Sequence, residues 1–136
     1  MIKPIVKDPV FLARGSAPVT KEDPTLARDL RDTLTAHRAG CVGMAANMIG
    51  VLKRAIVFDD NGICTVMFNP EITGRADPYE AEEGCLSLSG TRKTKRYRLI
   101  KIRYRDESFT EKERVLMGLS AQIVQHEIDH CDGILI

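Results

Sequence analysis

Two of the three histidines in this 136-residue chain stand four residues apart near its end, in Gln125-His126-Glu127-Ile128-Asp129-His130. An α-helix returns positions i and i+4 to one face, so His126 and His130 can grip one divalent ion between their imidazoles. Glu127 leaves the helix at an angle to that pair. It can take a proton from a water polarised by the ion without closing the open coordination position. A catalytic four-coordinate site needs three protein ligands, so a third donor must come from elsewhere. The remaining histidine, His37, follows an amphipathic stretch beside Arg38 and reads as the end of an exposed helix. Cys85 is the better donor: it lies in Glu83-Gly84-Cys85-Leu86-Ser87, where a glycine permits close backbone approach and a thiol follows at once.

Taken with Val42-Gly43-Met44-Ala45-Ala46 upstream, these segments make the chain resemble the peptide deformylases. That family has three motifs in this order: Gly-x-Gly-x-Ala-Ala-x-Gln, Glu-Gly-Cys-x-Ser, and a Gln-His-Glu helix closed by a second histidine. The second and third are intact here. Ala17-Pro18-Val19, Asn69-Pro70-Glu71-Ile72 and Gly133 extend the likeness over nearly the whole chain. The resemblance implies a metal-dependent hydrolase that removes the formyl group from the formyl-methionine of nascent polypeptides. Cys85, His126 and His130 would then be the metal ligands, Glu127 the general base and acid, and the Leu86 backbone N–H an oxyanion donor. Val42 and Gly43 would pair their backbone with an extended substrate, as an added strand. Glu83 would lie in the site and Arg92 near the peptide groove, while Arg96 matches a second family arginine only across a one-residue deletion. The family's native metal is ferrous iron, Fe2+, and Zn2+ or Ni2+ suits the same donors.

The first motif departs from this pattern. Aligned on Gly43 and the two alanines, the family's first glycine falls on Cys41 and its glutamine on Met48. The glutamine amide donates to the oxygen that turns negative as the formyl carbon is attacked, and a thioether has no proton to give. Losing one such donor costs on the order of 3 kcal/mol, or two to three decades in rate. A catalytically impaired homologue that binds metal or formyl-peptide is therefore one alternative, with neighbouring Asn47 a stand-in for the missing amide. A zinc peptidase is another, since it shares the paired-histidine helix, although the Glu-Gly-Cys segment argues against it. A structural zinc needs a fourth protein ligand, for which there is no obvious residue.

The length suits one domain, residues 1–136, with a core that needs no disulfides. The four cysteines, at 41, 64, 85 and 131, have no short repeated spacing and read as reduced thiols, with Cys64 and Cys131 as packing. A net charge of +1 gives no global argument for nucleic acid or a membrane, and the longest uncharged run, residues 39–52, is too short to span a bilayer. With no signal peptide at the start, the expected location is the cytoplasm, with formyl-methionyl nascent chains and the ribosome as partners.

The elements that must position these residues make an α+β chain, with antiparallel sheets packed around the C-terminal metal-binding helix. Prolines 4, 9 and 18 make residues 1–20 an extended arm. Asp23-Pro24 opens a helix running to about His37, with Leu26, Leu30 and Leu34 on one stripe. Residues 54–58 and 65–68 form a hairpin across Asp59-Asp60-Asn61-Gly62, and residues 71–82 read as an acidic surface loop leading to Cys85. From Arg92 to Arg105, bases interleaved with Leu99, Ile100, Ile102 and Tyr104 indicate a strand with one solvated face rather than a nucleic-acid site. A last strand at 111–117 meets Gly118, and the helix from Leu119 follows. Leu119, Gln122, Ile123, His126 and His130 share one face of it, so Ile123 becomes a wall for substrate and Gln122 makes that wall locally polar.

Overall fold

The strand Ala55–Asp60, β2, lies at the centre of the structure because its apolar run serves two faces at once. In the computed structural model, which describes every residue except Pro24, Ala55 and Val57 point to one side and Ile56 and Phe58 to the other. All four are fully buried. Successive strand side chains alternate in direction, so a strand covered on both faces must be apolar throughout. On the first side lies the helix Leu26–Ala36, α2, whose stripe of Leu26, Leu30 and Leu34 packs with Met44, Val66 and Phe68. The helix starts later than Asp23-Pro24, at Leu26 with Thr25 as its cap, and the Asp23 carboxylate instead accepts the Thr20 N–H at 3.1 Å; Pro24 itself lies outside the described residues. On the other side lies the C-terminal helix Gly118–Cys131, α3, with Ala121, Val124 and Ile128 set against Ile56, Phe58, Met67, Ile100 and Ile102.

Five strands form one antiparallel sheet in chain order: β1 (Gly43–Ala45), β2, β3 (Ile63–Cys85), β4 (Leu88–Arg105) and β5 (Glu111–Met117). The α+β expectation is met, with all the strands joined in a single sheet. The β2–β3 hairpin turns at Asn61-Gly62, both at positive φ, as a two-residue type I′ turn requires.

Two local expectations are corrected. Residues 71–82 are not a loop: β3 continues through them, paired with β4 as far as Cys85. The segment shows no apolar alternation because most of it is solvated. Its pairing is supported by charge, with Glu71 opposite Arg103, Glu80 opposite Lys95 and Glu82 opposite Lys93. Opposite charges directly across a sheet contribute about 0.2–1 kcal/mol each. The N-terminal arm also contains a short helix, α1 (Pro9–Leu12). The Asp8 carboxylate caps it by accepting the Val10 N–H at 3.0 Å, and fully buried Leu12 anchors it.

These elements bring the end of β3 against α3. The helix ends where Gly133 and Ile134 N–H groups donate back to the His130 and Asp129 carbonyls at 3.0 and 2.9 Å. No helix among the described residues is long and apolar enough to cross a membrane.

Candidate metal centre

Cys85 comes from the last residue of β3, and His126 and His130 from consecutive turns of α3. One donor atom from each lies within 4.8 Å of the others. The histidine Nε2 atoms are 3.1 Å apart. His126 Nδ1 lies 2.8 Å from Glu83 Oε1 and donates its proton there, so Nε2 is the nitrogen that can meet an ion, once it has given up its own proton. Burial opposes protonation of His126 but is outweighed by bonds to Cys85 and Glu83, which lift its pKa to about 10. Burial, followed by repulsion from His126, drives His130 down to about 3. A thiol and two ring nitrogens converging on one point fit a divalent ion.

Glu83 is nearly buried and carries the most elaborate support. Arg96 donates to both of its oxygens at 2.7–3.1 Å, and Gln122 Nε2 donates to Oε2 at 2.9 Å. Burial alone would raise this carboxyl; His126, Arg96 and Gln122 outweigh it and hold the pKa at about 2. Arg96 is itself anchored on Asp129 at 2.7 Å. A line of bonds from Asp129 through Arg96 and Glu83 therefore fixes the His126 ring.

Glu127 is 4% exposed, and burial raises its pKa to about 7. A carboxyl near neutrality can both accept and return a proton. It faces a cavity of about 640 Å³ that also exposes Cys85 and His126 and is lined by Val42, Gly43, Leu86 and Ile123. Gly43 is required there: a Cβ at this position would lie 2.6 Å from Ile123 Cγ2 and 3.0 Å from Glu127 Oε2. Gln122, whose role the sequence left open, lines the cavity and holds Glu83.

Several sequence-derived positions lie elsewhere. Met48 is 1% exposed and does not line the cavity, because the 3-10 helix Ala46–Ile49 turns it into the core around α2. Asn47 is fully buried and donates to the His130 carbonyl at 2.9 Å, so it does not offer its amide to the cavity. Arg92 pairs with Glu83 in strand register but does not line the cavity; Arg96 takes the central place. Cys41 is on the cavity wall, with its thiol donating to the Gly43 carbonyl at 2.9 Å and pushed up to about 11 by burial. Cys131 packs in the core, as expected, and burial raises it to about 12. His37 caps the end of α2 and is not part of the cluster.

Sequence reasoning left Asp129 out of the site; it put Gln122 on the wall without a role and tied Arg96 only to a family arginine across a deletion. Gln122 had a usable signal, one turn before His126 on the same face. Arg96 could be placed only by knowing that β3 continues to Cys85 and sets its register with β4.

Comparison with known proteins points to one family. The family model described as polypeptide deformylase matches residues 2–136. A peptide deformylase of Clostridium beijerinckii is 53% identical over 136 residues, covering 100% of both chains. Another, of Thermodesulfovibrio yellowstonii, is 44% identical over 108 residues, 75% of this chain and 66% of the relative. Among solved structures, a peptide deformylase from Legionella pneumophila matches with a TM-score of 0.90 at 35% identity, covering 99% of this chain and 83% of that one. The Met-Ala-Ser-bound class I type b peptide deformylase from Acinetobacter baumannii matches with a TM-score of 0.89 at 30% identity, covering 99% and 97%.

Proposed function

The chain belongs to the peptide deformylase family, and from this we propose that Cys85, His126 and His130 hold its metal ion while Glu127 moves the proton in formyl removal. The family's reaction is hydrolysis of the formyl group from the amino terminus of nascent peptides, and this chain is a hydrolase of that kind. The observation that carries the residue assignment is the convergence of one thiol and two imidazole nitrogens within 4.8 Å, beside a buried glutamate that faces the same cavity.

When bound, a divalent ion at these ligands supplies a Lewis acid that lowers the pKa of water toward neutrality and polarises the formyl oxygen. Glu127 takes the proton from the attacking water and returns it to the departing amine, and its pKa of about 7 suits both transfers. The Leu86 backbone N–H, on the cavity wall, donates to the developing oxyanion. β1 is the first strand of the sheet, so its outer edge is available for the extended substrate at Val42 and Gly43. Ile123 supplies apolar wall. Glu83, held by Arg96 and Gln122, keeps the His126 ring in orientation. The products are formate and a free methionine amino terminus.

Ferrous iron is the ion we assign as native, from the family likeness, with zinc or nickel as substitutes that the same soft and borderline donors accept. We place the enzyme in the cytoplasm, acting on formyl-methionyl chains as they leave the ribosome. A nucleic-acid site is not part of this reading. Much of the base on β4 is offset by acid, with Lys93 to Glu80 at 3.9 Å, Arg98 to Asp77 at 3.5 Å and Arg103 to Glu71 at 3.0 Å. An impaired binder and a zinc peptidase are both disfavoured by the full-length match to deformylases.

The test is formate release from a formyl-methionyl tripeptide by iron-loaded protein under anaerobic conditions. Glu127→Ala should retain the ion and lose about 10²–10⁴-fold in rate. A metal-loaded parent that releases no formate, or a Glu127→Ala variant as fast as the parent, would overturn the assignment.

A further inference from the structure

We infer that Asn47 is a positioning residue for His130, holding its backbone through one end of the amide and its ring, through one buried water, with the other. This rests on the reading of Cys85, His126 and His130 as metal ligands. If His130 binds through Nε2, the atom that faces His126 Nε2 at 3.1 Å, then its proton must sit on Nδ1. Ligating histidines almost always donate that second N–H to an acceptor, which sets the tautomer and the ring orientation. His126 has Glu83 for this purpose.

His130 is fully buried, and its Nδ1 has no hydrogen-bond partner among the described residues. Against the same residue lies Asn47, also fully buried, donating from Nδ2 to the His130 carbonyl at 2.9 Å and to the Leu12 carbonyl at 3.5 Å. Its other end, Oδ1, is likewise buried without a partner among the described residues. One leftover donor and one leftover acceptor thus belong to two residues already in contact. Buried polar groups in native proteins rarely stay unpaired, and a single internal water with two to four polar partners is the usual remedy. The family motif leaves position 47 open, so this support comes from the chain's own residue.

The test compares the parent with Asn47→Leu, which keeps the branched shape and removes both donor and acceptor. Zinc affinity is measured by competition with a chromogenic chelator, and the His130 Nδ1–H is followed by NMR in zinc-loaded protein with nitrogen-labelled histidine. The parent should show a slowly exchanging Nδ1–H with a cross-peak to a bound water. Asn47→Leu should lose that signal and bind zinc about 10–100-fold more weakly. If Asn47→Leu does not fold, the parent spectrum decides: an Nδ1–H that exchanges as fast as an exposed imidazole overturns the inference. Unchanged affinity and spectrum in Asn47→Leu, with at most a lower melting temperature, also overturn it and leave the ligand assignment standing. A parent that binds no zinc at all would defeat the ligand assignment, and this inference with it.

Discussion

Replacing Gly43 by alanine adds one methyl group at the point where β1 meets α3, and the structure indicates what that methyl would strike. The new Cβ would sit 2.6 Å from Ile123 Cγ2, 3.0 Å from Glu127 Oε2 and 3.4 Å from Glu127 Cγ. Carbon atoms in contact rest at about 3.5–4.0 Å, so Ile123 or the strand must move by roughly 1 Å. Ile123 is 6% exposed and packed in the core between α3 and the sheet, which leaves it little space. Overpacking of this kind costs about 1–3 kcal/mol. At the usual unfolding entropy per residue, that corresponds to a fall of about 4–10 °C in melting temperature for a chain of this length. The second contact is with Glu127, to which we assign the proton transfer, and a displacement near 1 Å at a reacting group costs on the order of 100-fold. Gly43→Ala should therefore lower both the melting temperature and kcat, measured by thermal unfolding and formate release. Gly15→Ala, where an added Cβ meets nothing within 4 Å, should change neither. A Gly43→Ala protein with parental kcat and melting temperature would refute the placement of Glu127 against β1.

Three other substitutions probe separate parts of the structure. Arg96→Leu leaves Glu83 buried without its principal partner, both side chains being less than a tenth exposed at 4% and 7%. Losing one member of such a pair costs about 3–5 kcal/mol, to be read from urea unfolding, and a loss below about 1 kcal/mol would contradict the pairing. Met48→Gln restores the family's usual residue at a position that the structure puts in the core, so it should lower stability by about 1–3 kcal/mol without a large gain in rate. A rise of a decade or more in kcat would instead place that side chain at the reacting carbonyl. The Asp60 carboxylate is partly buried, which opposes ionisation, but Arg114 at 2.6 Å and Ser120 at 3.0 Å outweigh this and hold its pKa below the ordinary 3.8. Its folded pKa is thus lower than its unfolded one. The stabilisation is complete above pH 3.8 and lost as pH falls through the folded pKa. The stability gap between parent and Asp60→Asn should accordingly be constant at neutral pH and close only in acid; a gap that instead widens as pH falls below 3.8 would contradict the sign.

What could be read in advance followed from local chemistry with a strict period. The pair at 126 and 130 and the leucine stripe of α2 carry their spacing within a few residues and lie on the helices expected, and the hairpin turns within the expected connection 59–62, tightened to Asn61-Gly62 because Asp59 and Asp60 join the strand. Residues 71–82 read as a loop because a solvated strand stabilised by cross-strand charge has no apolar period, and its partners lie 11 (Glu82 to Lys93) to 32 (Glu71 to Arg103) residues away in sequence. The same gap concealed Arg96, whose position opposite Tyr79 and beside Glu83 depends on that pairing and its irregular register. Met48 shows the converse error. Motif alignment put it where the family's glutamine reaches the reacting oxygen, whereas the 3-10 turn at Ala46–Ile49 directs its side chain into the core.

X-ray absorption spectroscopy of the ion-loaded protein tests the metal assignment most directly. The expected first shell is one sulfur at about 2.3 Å, two imidazole nitrogens near 2.0–2.1 Å and one light atom from solvent, with the sulfur disappearing in Cys85→Ser. A shell without sulfur in the parent, or one closed by a fourth protein ligand, would contradict the hydrolytic site described for Cys85, His126 and His130.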